Sequence, residues 1–225
     1  MKHLIICILA IALIGPSALS GQALKDIDGN VYRTVKIGSQ TWMAENLKTT
    51  RLTDGSVISL IKDDNEWAGS SSSAYCWFKN DGSTYKNKYG ALYNWYAVNT
   101  GKLCPAGWHV PSDADWTILT DFLGGEDVAG GKLKKADTLS WQNPNTGATN
   151  ASGFTAVSTG FRNHAGSFDL YGSNNIYFRS NGFYWSSTEK YSFNAYYRRL
   201  YNSLASIYRS LSAKEFGYSV RCLKD

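Results

Sequence analysis

Histidine, methionine and proline are scarce in this chain of 225 residues, at three, two and four copies. The four cysteines include no C-x-x-C pair, so neither a zinc site nor a thioredoxin-like redox pair is suggested. So little histidine leaves few groups for acid–base work, and no Gly-x-Ser-x-Gly elbow accompanies it, which argues against a serine hydrolase. Beyond residue 20 no run is apolar enough to anchor the chain, so no transmembrane segment is expected in the mature protein. Charge of one sign is not concentrated either. The 23 basic and 18 acidic side chains are scattered, and without a basic stripe no nucleic-acid partner is expected. Internal repeats and low-complexity linkers are also missing, so residues 21–225 read as a single domain, long enough to bury a core without relying on crosslinks.

The first twenty residues read as a secretory signal peptide. Lys2 and His3 form a short polar lead, the run from Leu4 to Ile14 is apolar, Gly15-Pro16 breaks it, and Ala18-Leu19-Ser20 offers small residues for cleavage before Gly21. Cys7 lies inside the apolar run instead of just after it, which argues against lipidation there. The expectation is an exported protein, secreted or held at the cell surface. Loss of the leader removes Lys2 and leaves 22 basic against 18 acidic residues, about +4. Cys76, Cys104 and Cys222 remain, in a compartment that permits a disulfide. Three is odd, so one thiol is left over or pairs outside the chain.

The pattern along the chain predicts a mixed α+β fold. Asp28-Gly29-Asn30 marks a turn before the alternating run Val31 to Ile37, and Gly38-Ser39 separates that run from Thr41-Trp42-Met43. Residues 89–98 are expected to be helical, with Leu92, Trp95 and Tyr96 on one face. The clearest helix starts at Ser112, with Asp115 placed for a capping box; Trp116, Leu119, Thr120 and Leu123 share a face, and Gly124-Gly125 stops it. A short helix over 128–135 is weakened by Gly130-Gly131. Strands are expected over 154–161, 182–187, 195–201 and 217–223. Trp95, Trp108, Trp116, Leu119, Leu123 and Val220 are the predicted core.

The last third is crowded with Tyr, Phe, Trp, Asn, Ser and Arg, and the alternation of a simple half-buried strand is blurred by polar residues. Tyr and Trp give large contact area with few rotors, while Ser and Asn give adaptable hydrogen bonds, the chemistry of a recognition surface. The plainer reading makes half of these aromatics core. In an extended 195–201, Tyr196 and Tyr197 face opposite sides, as do Arg198 and Arg199, so at least one of each pair is displayed or lies at a layer edge. The candidate ligand-binding residues are Tyr171, Tyr177, Tyr191, Phe193, Asn194, Tyr196, Tyr197, Tyr201 and Tyr208.

Several blocks carry a family resemblance: Asp26 to Tyr32, Gln40 to Leu47, Tyr89 to Val98, Cys104 to Ser112, and the ending Gly217-Tyr218-Ser219-Val220-Arg221-Cys222. Together, in this order, they resemble the Fibrobacter succinogenes major paralogous domain family over essentially the whole mature chain. The resemblance implies a C-type-lectin-like architecture, with two main helices packed on short, mostly antiparallel strands and long loops. It also implies a Cys104–Cys222 disulfide, since the termini of that fold lie close, with Cys76 as the unpaired thiol. Relatives of the fold include retroelement-diversified target-binding proteins, whose C-terminal aromatic, Asn- and Ser-rich surface contacts the target; residues 191–208 resemble such a surface.

Catalytic readings are weaker. His109, before the capped helix, is expected to hold the connector, and His164 to be a contact residue. Asp113, Asp115, Asp121, Glu126 and Asp127 cluster at the central helix, where a glycosidase would use two, but first-turn carboxylates also complement the helix dipole. Gln142-Asn143-Pro144 differs from the calcium-binding triplets of sugar-binding C-type lectins, and no Trp-Asn-Asp accompanies it, so no metal and no cofactor is expected. The main reading is an exported ligand-binding module for an extracellular protein or glycan. A carbohydrate-active or protein-modifying enzyme on the same scaffold and a structural subunit of an extracellular assembly are the alternatives.

Overall fold

The computed structural model describes residues 23–168 and 178–225. Its mixed α+β fold has mostly antiparallel sheets and few helices. Strands β1 (Leu24–Lys25) and β2 (Val31–Tyr32) pair antiparallel across the predicted turn, where the Asp26 carboxylate accepts from the N–H groups of Asp28 and Asn30 and from the Tyr32 hydroxyl. The run expected over 31–37 is interrupted at Arg33, whose N–H goes to the Glu45 carboxylate at 2.6 Å instead of a strand. It resumes as β3 (Thr34–Ile37), which turns through Gly38 (φ 61°) and Ser39 into β4 (Gln40–Met43).

Next come β5 (Ser59–Leu60), α1 (Asp64–Gly69), β6 (Ala74–Cys76), α2 (Gly82–Tyr89), β7 (Leu92–Tyr93), α3 (Trp95–Val98) and β8 (Trp108–His109). The helix expected over 89–98 is therefore not one helix. Gly90 takes φ 75°, and a Cβ there would crowd Asn46 and the Leu47 carbonyl at 2.7 Å. Leu92 and Tyr93 are drawn into a sheet with β6, and Asn94 starts α3 afresh by accepting from the Ala97 N–H. By contrast α4 (Asp113–Phe122) follows its sequence signals. Ser112 and Asp115 form the capping box, Trp116, Leu119 and Thr120 are buried, and the chain leaves through Gly124 and Gly125, both at positive φ. In α5 (Glu126–Leu133) the two glycines have a packing role. A Cβ on Gly130 would collide with the Ser206 carbonyl, and one on Gly131 with the Gly147 carbonyl.

The three long strands β9 (Asn181–Tyr191), β10 (Asn194–Tyr201) and β11 (Ile207–Ala213) form an antiparallel sheet in the order β11-β10-β9. The last strand, β12 (Leu223–Lys224), inserts between β4 and β8, completing a sheet of order β3-β4-β12-β8. The expected strand over 217–223 is shorter because its partners change along its length. Tyr218 exchanges both backbone bonds with Tyr93, Ser219 bonds to Phe183 and Trp185 of β9, Val220 accepts from Leu47, and Cys222 accepts from Met43. Residues 154–161 likewise make isolated bridges, Lys134 with Ala156 and Gly160 with Gly182, and no continuous ladder.

This threading divides the core. On one side Trp42, Trp116, Phe154 and Tyr184 pack ring against ring, with Trp42 and Trp116 centroids 4.9 Å apart. On the other, Trp95, Trp185, Phe183 and Tyr218 surround Val220 and the disulfide. Cys104 and Cys222 are bonded, with Cα atoms 5.9 Å apart, as the resemblance implied. Among the described residues Cys76 is the free cysteine, and burial pushes its thiol up to about 12. Trp108 is only half-buried, contrary to expectation, because β8 lies at a sheet edge.

Candidate functional site

Strand β10 carries most of the predicted recognition residues, and its pleat sorts them. Tyr197, Arg199 and Tyr201 alternate on one face, opposite Trp185, Phe183 and Asn181 of β9; Tyr197 and Arg199 are also opposite Ser210 and Tyr208 of β11. Tyr196, Arg198 and Leu200 take the other face. An irregularity around Ala195 shifts the register with β9, so that Ala195 is opposite Glu189 but Tyr197 is opposite Trp185.

On the Tyr197 face a cleft of about 280 Å³ opens between the sheet and the incoming C-terminal segment. Five rings line it: Phe161, Phe183, Tyr197, Phe216 and Tyr218. Phe183 stacks on Tyr218 at 5.1 Å, and Tyr197 lies 5.0 Å from Tyr218. The polar groups are few. Arg199 lies over Phe183 (4.9 Å) and Tyr201 (4.1 Å) and donates through Nε to Asn181. Ser212 and Tyr218 hydroxyls are 2.9 Å apart, and burial raises the Tyr218 phenol well above its usual value, so it stays neutral. Asn194 also lines the cleft; its side-chain oxygen is buried and without a hydrogen-bond partner, as are the side-chain oxygens of Asn80 and Asn145 elsewhere. The Ser212 hydroxyl thus has a phenol as its partner, and the rings around it offer faces for stacking.

The seven predicted residues that fall among the described ones do not converge on one spot. Asn194 and Tyr197 line the cleft, and Tyr201 and Tyr208 continue its face as a pair 5.1 Å apart. Tyr191 and Phe193 stand at the tip of the β9–β10 hairpin, rings stacked at 6.1 Å and 52% and 65% exposed. Tyr196 is on the opposite face beneath the Arg209 guanidinium, 4.0 Å from its ring centre. Tyr171 and Tyr177 lie outside the described residues. Sequence reasoning did not assign Phe161, Phe183, Arg199, Ser212, Phe216 and Tyr218 to the site. The period-two split of Arg198 from Arg199 was the available signal for one of them; the rest depend on tertiary proximity.

Other candidate groups lie elsewhere. His109 places Nδ1 2.6 Å from Asp225 and Nε2 3.4 Å from Asp115, tying β8 and the C-terminus to the start of α4. The His164 ring packs beside Phe216 at 5.4 Å, at the margin of the aromatic cleft. Asp113 accepts from both Arg198 and Arg209; burial pushes its carboxyl up, but the two guanidinium groups outweigh this and hold it below the usual range. Among the described residues no group of three or more potential metal ligands is clustered, and no helix is long and apolar enough to cross a membrane.

Neither a curated protein nor a solved structure matches the chain. The model of the Fibrobacter succinogenes major domain does match, over residues 35–224, which takes in the capped helix, the disulfide and the whole C-terminal sheet, and the chain belongs to that family.

Proposed function

We propose that this protein is an exported ligand-binding domain, secreted or held at the cell surface, that recognises an extracellular protein or glycan through its C-terminal sheet. The observation that carries the reading is the aromatic cleft around Tyr197 and Tyr218, with Asn194, Arg199 and Ser212 as the polar residues of its lining. Its volume of about 280 Å³ suits one ring-sized anchor, a single sugar or one apolar side chain. The hairpin-tip pair Tyr191 and Phe193 and the Tyr201–Tyr208 pair extend the surface on which the rest of a larger ligand rests. Export is supported by the leader-like residues 1–20 and by the disulfide, which suits an oxidising compartment.

A C-type-lectin-like arrangement of residues 21–225 is part of the same proposal. It is supported by the insertion of β12 beside β4, which brings distant parts of the chain together, and by the disulfide beside it. A glycan array and a surface-protein pull-down, each run with the parent and with Tyr197→Ala, test the reading. Ligands retained by the parent and lost by the folded variant support it. Turnover of a captured glycan without stable retention favours an enzyme, and self-association without added ligand favours a structural subunit.

A further inference from the structure

We infer that a second cleft, walled by Arg33, Lys88 and Lys135 and floored by Arg221, is a binding site for an oxyanion group, a sulfate or phosphate. It lies away from the aromatic cleft: Arg221 packs under Phe154 and toward Tyr184, whose side chain leaves β9 on the face opposite Phe183.

The floor supplies the main reason. Three arginines in this fold are almost fully buried, and two have carboxylates, Arg162 with Asp64 and Arg198 with Asp113. Arg221, only 1% exposed, has none within ion-pair distance among the described residues. Its guanidinium donates to neutral oxygens alone: the Asn46 side chain (2.8 Å) and the carbonyls of Phe154, Thr155 (2.9 Å) and Met43 (3.4 Å). A guanidinium has five N–H donors, and these bonds use four, leaving one on Nη2. A buried charge with no carboxylate in ion-pair distance is costly; burial lowers the Arg221 pKa to about 10, although Glu45 on the same cleft acts in the opposite direction from farther away.

The walls supply the second reason. Lys88 is exposed, donates to the Leu139 carbonyl at 3.3 Å and lies 5.0 Å from the centre of the Tyr89 ring, with no carboxylate in ion-pair distance among the described residues. Arg33 pairs with Glu45 and Lys135 with Asp137. Four cations against those two carboxylates leave two positive charges around a space of about 130 Å³. Such a space admits an oxyanion group but not the sugar or chain that would carry it. Guanidinium and ammonium groups around one small cleft match phosphate or sulfate oxygens.

The test is thermal melting of the mature protein at constant ionic strength with sodium sulfate, sodium phosphate, glucose 6-sulfate or sodium chloride. Lys88→Gln/Lys135→Gln changes the walls and leaves the floor; it also gives up the partly exposed Lys135–Asp137 ion pair, a small cost, so each protein is compared with its own Tm in chloride. The expected result is a saturable rise in Tm with an oxyanion, absent with chloride, and at least tenfold weaker in the double variant. Saturation by glucose 6-sulfate at least as tight as by sulfate identifies a group carried on a glycan; saturation by the inorganic ions alone identifies a free anion. Sulfate and phosphate also stabilise proteins generally by exclusion from their surfaces. A rise that never saturates, or that is the same in parent and variant, overturns the proposal.

Discussion

Tyr196 and Tyr197 are neighbours in sequence and face opposite sides of β10: Tyr196 lies under Arg209 at 4.0 Å, while Tyr197 lies 5.0 Å from Tyr218 across the aromatic cleft. Two residues of the same type thus have different work, and substitutions separate them. Tyr196→Ala is expected to lose the cation–π contact between its half-buried ring and exposed Arg209, about 0.5–1 kcal/mol, with no effect on the cleft. Tyr218→Ala empties a fully buried position and is expected to cost about 3–5 kcal/mol. Urea unfolding of both variants checks the difference; equal losses would contradict the placement of the two rings.

The disulfide closes a segment of 118 residues. In the chain-entropy model a loop of that size is worth up to about 4–5 kcal/mol, so Cys104→Ser/Cys222→Ser is expected to unfold at distinctly lower urea. Thiol counting on the mature protein checks the pairing. Buried Cys76 is expected to be unreactive in the native state and to yield one thiol in denaturant; reduction should then yield all three. A rapidly reacting native thiol would contradict the burial of Cys76.

Asp113 is shared by buried Arg198 and exposed Arg209. Because the folded carboxyl titrates below its unfolded value of 3.8, the unfolded chain takes up the proton first as pH falls. The stabilisation from Asp113 is therefore fully present above about pH 4 and lost as pH drops through the folded value. Asp113→Ala is expected to flatten that acid limb. It is also expected to cost about 3–5 kcal/mol at neutral pH, by leaving the Arg198 charge buried and unpaired. Melting curves from pH 2 to 7 for parent and variant provide the check; parallel curves would contradict it.

Helix propensity and packing make opposite predictions at Gly130. On an exposed helix, glycine to alanine gains about 0.5–1 kcal/mol. Here the added methyl meets the Ser206 carbonyl, so Gly130→Ala is expected to destabilise by about 1–3 kcal/mol. A higher Tm for the variant would show that α5 and the loop before β11 do not approach as described.

The features legible in sequence were those written locally. Helix α4 has its cap, apolar face and stop within fourteen residues, Ser112 to Gly125, and it formed as read. The β3–β4 hairpin follows from a two-residue turn, and the disulfide from the family blocks that hold its cysteines. The features that escaped are those decided by distant partners. Residues 89–98 resemble a helix until β6 claims Leu92 and Tyr93. The final segment looks like one strand because each of its residues is extended, but it is stitched to a succession of neighbours. Strand β11 has one fully buried apolar residue, Ile207, amid Tyr, Arg and Ser, and so carried little strand signal. At the site, the aromatic density pointed to the sheet on which the cleft lies, and the pleat separated Tyr196 from Tyr197. Phe161 and Phe216 reach the cleft from outside that sheet, which no local pattern announces.

The central claim is that the Tyr197 face is the binding surface. Once the array or the pull-down has identified a ligand, its affinity for the parent, Tyr197→Ala and Tyr196→Ala, each verified as folded by its melting curve, tests that claim most directly. An anchor residue is worth at least about 2 kcal/mol, or roughly 30-fold. The expected result is therefore a loss of that size for Tyr197→Ala with Tyr196→Ala binding like the parent; equal affinity of parent and folded Tyr197→Ala would contradict it.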